Sequence, residues 1–229
     1  LRIRRRMDLH EPVFISGRGL QRQLGTYSRL LQDHLHDRLG QVYIRQKKLG
    51  EALTEFQAVE KLNINNSEVR TKIGLIYFEQ GQIDEAIAQF ALVLSSQPGN
   101  DRVRYYLATA YEEKKEFERA LEEFKRIRPA SPLYVDSQIH LAYVYEKQNK
   151  IDEAILALME EMKAKPGQAH FYRFLAALYE KLSQFAEGIR LLKVASEISP
   201  QDAKVYFTLG ALYDQTGDRP EPLGQMRSA

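Results

Sequence analysis

GLIYFEQGQIDEAIAQF, residues 74–90, sets a glycine, a tyrosine, a second glycine, an alanine and a phenylalanine at uneven spacing. One step of 34 residues back, the chain reads GQVYIRQKKLGEALTEF from Gly40. One step on, it reads ATAYEEKKEFERALEEF from Ala108. The stretch is one copy of a repeat, and its period decides the fold.

Tyr43, Tyr77, Tyr111, Tyr145, Tyr179 and Tyr213 follow one another at intervals of 34 without slippage. With each tyrosine at position 11, the repeats begin at Asp33, Ser67, Asp101, Val135, Ala169 and Ala203. Position 8 is always small: Gly40, Gly74, Ala108, Ala142, Ala176 and Gly210. Position 20 carries Ala52, Ala86, Ala120, Ala154, Gly188 and Pro222, and position 24 is large and apolar from Phe56 to Met226. Pro98, Pro132, Pro166 and Pro200 close four of the repeats. Positions 4, 7, 8 and 11 are read as the apolar face of a first helix, and 20, 24 and 27 as that of a second. Small residues at 8 and 20 let the two backbones approach, and the large side chains at 11 and 24 fill the space around that contact. Gly81, Asn149 and Gly217, near position 15, break the chain between the helices. One such pair cannot bury its own stripe, so the repeats must stack.

These residues resemble the tetratricopeptide repeat, over residues 33–229. The resemblance implies an all-α fold, a right-handed superhelical α-solenoid of stacked antiparallel helix pairs. The expected boundaries are 33–66, 67–100, 101–134, 135–168 and 169–202, with a truncated repeat at 203–229. Pro220, Pro222 and Gly224 stand where the second helix of that last repeat should begin, so a poor helix is expected there. Ahead of the array, Leu20, Leu24, Tyr27, Leu31, Leu35, Leu39 and Val42 form one apolar stripe. Residues 1–32 are therefore expected to be a basic segment with a capping helix over 18–32 or a degenerate repeat, and residues 1–17 to be loosely ordered.

The chain of 229 residues is 44% hydrophobic and 28% charged, the composition of a folded domain. It has no cysteine, which excludes disulfide and thiolate chemistry without naming a compartment. No apolar run reaches the roughly 18 residues of a membrane span. The net charge of +2 hides seven arginines in residues 1–32 against Asp8 and Glu11. Because the chain opens on Leu1, with its first methionine at Met7, it reads as a fragment of a longer protein.

No phosphate loop, nucleophile elbow or paired-histidine zinc motif is present. His34 and His36 stand two apart, on different faces of a helix, so no metal or cofactor is expected. The enzyme class is accordingly set aside in favour of a surface that binds. The resemblance implies that positions 2, 5, 9 and 12 of the first helices line a concave groove. Those positions give the expected peptide site Leu75, Phe78, Tyr105, Thr109, Glu112, Ile139, Tyr143, Glu146, Arg173 and Glu180. Leu75, Phe78, Tyr105, Ile139 and Tyr143 would be apolar anchors, although Leu75 and Ile139 could equally pack on the next repeat. Glu112, Glu146, Glu180 and Asp214 would form an acidic row. The lysine–asparagine clamp by which some family members hold a chaperone's C-terminal carboxylate is missing, since position 9 carries no asparagine.

The leading expectation is a non-catalytic scaffold for a protein or peptide partner of apolar, neutral or basic character. Self-association through the unfinished ends of the solenoid, within a larger protein, is the alternative. Nucleic acid would need concentrated positive charge, and the groove has the opposite sign.

Overall fold

The computed structural model describes residues 17–62 and 66–217. Among them are eleven helices: α1 Gly17–Arg45, α2 Leu49–Leu62, α3 Ser67–Glu79, α4 Ile83–Ser96, α5 Asp101–Glu113, α6 Phe117–Lys125, α7 Tyr134–Lys147, α8 Ile151–Ala164, α9 Ala169–Lys181, α10 Phe185–Ile198 and α11 Ala203–Thr216. The chain divides into two compact units, residues 1–76 and 77–229. The residues expected as a capping helix and the first helix of the repeat at Asp33 are one helix, α1. Residues 1–16 and the expected weak helix after Pro220 lie outside the described residues.

Each first helix ends in the same way. Lys47, Gly81, Lys115, Asn149, Ser183 and Gly217, all at position 15, have φ between 59° and 76°. In the first five repeats the residue after this left-handed one returns its N–H to the carbonyl of the motif tyrosine. Gln82 bonds Tyr77 at 2.8 Å, Glu116 bonds Tyr111 at 2.9 Å, Lys150 bonds Tyr145 at 2.9 Å and Gln184 bonds Tyr179 at 2.8 Å. Position 15 bonds back to position 12 in parallel, as Lys115 does to Glu112 at 2.9 Å. This is the Schellman pair of bonds, which satisfies two carbonyls of the last turn and reverses the chain. Starts are capped where the residue allows it: Asn66 accepts from Val69 N–H, Asn100 from Val103 N–H and Asp202 from Lys204 N–H.

The small positions lie where backbones meet. Ala108, Ala142 and Ala176 at position 8 and Ala52, Ala86, Ala120 and Ala154 at position 20 have no exposed surface. In unit 1, a Cβ built on Gly40 would stand 2.7 Å from the ring of Phe56, so a side chain there would force the ring to shift. Phe56, Phe90, Phe124, Leu158 and Leu192 at position 24 are all fully buried. In unit 2 the pairs α5–α6, α7–α8 and α9–α10 pack internally, and α4–α5, α6–α7, α8–α9 and α10–α11 join one pair to the next. That is an all-α solenoid.

Two details depart from the sequence reading. Position 4 holds His36, Arg70, Arg104, Gln138, Tyr172 and Tyr206, none of them buried. The buried stripe of the first helices runs instead through positions 3, 7 and 10, as in Val103, Leu107 and Ala110. Helix α6 stops at Lys125, while α8 and α10 continue five positions further in their repeats. Pro129 has no N–H and disfavours a helical Arg128, so the chain leaves the helix early. Ile127 nevertheless fills its core position at 2% exposure.

The left-handed turn is testable. Ser183→Gly relieves a Cβ held at positive φ and should raise stability by about 1 kcal/mol. Gly81→Val, where a Cβ meets no atom within 4 Å, should lower it by about 1–2 kcal/mol through backbone strain alone. Urea titrations followed by circular dichroism measure both; a stabilised Gly81→Val would contradict the account.

Candidate functional site

In unit 2 the first helices stand side by side, α5 against α7 and α7 against α9. The links between them run through several of the expected site residues. Around Tyr105 is an aromatic group. The His140 ring stacks on Phe124 with centroids 5.4 Å apart and planes at 22°. Tyr105 meets both edge-on, at 5.8 Å from Phe124 and 5.5 Å from His140. Tyr106 adds a further edge contact with Tyr105 at 6.3 Å. Tyr105 is half-buried, with its ring held against Phe124, His140 and Tyr106. Burial, followed by the charges of Asp136 and Glu112, pushes its hydroxyl up to about 12.

The acidic row is not a row of free carboxylates. Glu112 is bonded to His140 Nδ1 at 2.8 Å. Glu146 pairs with Lys181, and Glu180 accepts from Gln215 Nε2 at 3.3 Å. Each bond runs from one first helix to the next, so the row staples consecutive repeats. Arg173 is likewise held, by Asp202 at 3.0 Å. Tyr143 is half-buried and covered by Lys147, whose ammonium lies 4.8 Å from the ring centroid. The Tyr143 hydroxyl, then Glu146 and Glu112, raise that ammonium above its ordinary value.

The other expected residues are placed differently. Thr109 spends its hydroxyl on the Tyr105 carbonyl at 2.9 Å, inside α5. Ile139 is half-buried and packs on the buried core of unit 2. Phe78 is half-buried on the last turn of α3 in unit 2. Leu75 belongs to unit 1 and is half-buried there. Unit 1 has its own polar link, with Asp37 accepting from Gln41 at 2.6 Å and from Lys72 at 2.7 Å. Phe207, at position 5 of the last repeat, is 81% exposed.

Sequence reasoning passed over His140, Lys147 and Lys181. A signal exists for Lys181: it and Gln215 each follow their carboxylate by 35 residues, one position on in the next repeat. Neither His36, on Glu55 at 2.6 Å, nor His140 belongs to a cluster of ligating side chains. Among the described residues no group of three or more such residues comes together. No described helix is long and apolar enough to cross a membrane.

Comparison with known proteins agrees with this geometry. Family models described as tetratricopeptide repeat match residues 77–140 and 135–167. The chain carries tetratricopeptide repeats over residues 77–167. It carries a protein-interaction scaffold, of a family that is generally non-catalytic. Among solved structures, it is similar to a tetratricopeptide repeat protein from Parabacteroides merdae at a TM-score of 0.65 and 18% identity, covering 82% of this chain and 74% of that one. It is similar to MamA at a TM-score of 0.61 and 23% identity, covering 76% and 94%. It is also similar to YrrB, described as having an unusual peptide-binding site, at a TM-score of 0.54 and 16% identity, covering 76% and 89%. At these identities the likeness is one of fold. No curated protein matches the sequence.

Tyr105 gives the site a spectroscopic handle. Below its ordinary value of 10.0 the hydroxyl keeps its proton in both folded and unfolded chains. Between that value and about 12 only the unfolded chain ionises, so stability should fall as pH rises through this window. Tyr134, pushed up to about 12 by burial and by its hydrogen bond to Glu161, contributes in the same sense. Absorbance titration near pH 11 should find both hydroxyls still protonated. Tyr105→Phe should remove one of these late titrations and lessen the alkaline loss of stability. An unchanged titration curve in that variant would contradict the burial of Tyr105.

Proposed function

We propose that the chain is a non-catalytic scaffold whose inner face in unit 2 takes a peptide or helix from a partner protein. The observation that carries this reading is the aromatic group of Tyr105, His140 and Phe124, with Tyr143 one repeat further along. A half-buried tyrosine held rigidly by its neighbours adds contact area at little entropic cost. The scaffold supplies that rigidity, because Phe124 behind the group is fully buried.

Partner chemistry follows from the surroundings. Apolar or aromatic side chains of the ligand would dock on Tyr105 and Tyr143 and supply most of the affinity. Glu112, Glu146 and Glu180 are already engaged, so they set the rim and the approach rather than offering vacant acids. Asp136 is exposed beside Tyr105 and favours a neutral or basic ligand. The peptide-binding description of YrrB points the same way.

The test is a ligand selected from a displayed library of helical and extended peptides, followed by titration. Tyr105→Ala with Tyr143→Ala should weaken it by roughly 10- to 100-fold, about 1–3 kcal/mol, with the helical circular dichroism signal retained. Equal affinity in the folded double variant would refute the reading. Lys181→Met leaves Glu146 without its partner and should tighten a basic peptide several-fold at low salt, an effect that added salt removes.

A further inference from the structure

Helix α1 presents an apolar face that no described residue covers. Tyr27 is 65% exposed, Leu31 72%, Leu35 57% and Val42 45%. Leu35, Leu39 and Val42 occupy positions 3, 7 and 10 of their repeat. In the following repeats those positions are core: Val103, Leu107 and Ala110 on α5, and Phe171, Leu175 and Leu178 on α9, are at most 5% exposed. There the second helix of the preceding repeat lies against them, α4 on α5 and α8 on α9. Short loops make these neighbours antiparallel. The bare face of α1 is thus a seat for one more antiparallel helix.

The stripe is also symmetric. Leu24, Tyr27, Leu31, Leu35, Leu39 and Val42 are separated by steps of 3, 4, 4, 4 and 3, the same in either direction. Turned end for end about residue 33, a second α1 sets Leu31 opposite Leu35 and Tyr27 opposite Leu39. Each bulky residue meets another, in a closed two-fold contact.

We propose that this face binds a second copy of the chain, α1 against α1, antiparallel about residue 33. The proposal rests on α1 alone and is independent of the inner face. Pairing two such stripes would remove on the order of 1,000 Å² from water in all, the lower bound for a specific interface. Residues 1–16 are a poorer occupant, because Arg2, Arg4, Arg5 and Arg6 do not complement an apolar stripe.

Light scattering on the full chain at tens of micromolar should give twice the chain mass of 26.5 kDa. Leu31→Lys with Leu35→Lys should return the mass to 26.5 kDa with the helical signal kept. A monomeric wild type, or a dimer that survives the double substitution, would overturn the proposal. Because the chain has no cysteine, Leu31→Cys and Leu35→Cys offer a milder second test. Mixed and oxidised, the two proteins should form the 31–35 disulfide in several-fold excess over either homodisulfide. Predominant 31–31 and 35–35 products, or no cross-link, would equally overturn it.

Discussion

One backbone conformation, recurring every 34 residues, is the constraint on which the array depends. A helix pair can bury its stripe only if the second helix returns at a fixed angle to the first. That angle is set at position 15, where six residues take positive φ and, at the first five of them, two hydrogen bonds tie the outgoing chain to the last turn. Four of the six are not glycine. Their left-handed backbone costs each of them about 1–2 kcal/mol, and the packing that the turn makes available outweighs it. With the turn fixed, steric matching does the rest: Gly40 or an alanine at position 8 lets a full ring or leucine at position 24 sit against the facing helix.

The functional surface follows from the same geometry. Stacking places α5, α7 and α9 side by side, so residues 28 to 35 apart become neighbours across a helix seam. The seam is polar, with Glu112 on His140 and Glu146 on Lys181, while the aromatic group beneath it reaches into the core through Phe124. These links hold the inner face rigid, which suits a surface that captures an ordered ligand with little loss of its own freedom. Exposed pairs such as Lys181 with Glu146 add little stability by themselves. Their larger effect is on register and on which charges a ligand meets first.

What the sequence disclosed and what it hid divide along physical lines. The tyrosine period, the small residues at 8 and 20 and the large ones at 24 were legible, because close backbone approach restricts residue type at one position regardless of context. Position 15 was legible only in part: Gly81 and Asn149 advertise a left-handed turn, whereas Lys47, Lys115 and Ser183 do not. The inward stripe was misread at position 4, since a single helix turn does not distinguish 3 from 4 without the facing helix. The acidic row was visible, but its partners were not, because a pairing such as Glu146 with Lys181 depends on how one repeat sits on the next. Thr109 and Ile139 share the inner-face register with Tyr105, yet one bonds its own helix and the other packs on the core.

The central claim is that one hydrogen-bonded turn at a fixed repeat position organises the chain. Amide hydrogen exchange resolved at Gln82, Glu116, Lys150 and Gln184 tests it most directly, since each of these N–H groups should be bonded to the motif tyrosine five residues before it. The account requires all four to exchange slowly, with protection comparable to the helix interiors on either side. Exchange at the rate of an open loop at these four amides, with the helices still protected, would contradict it.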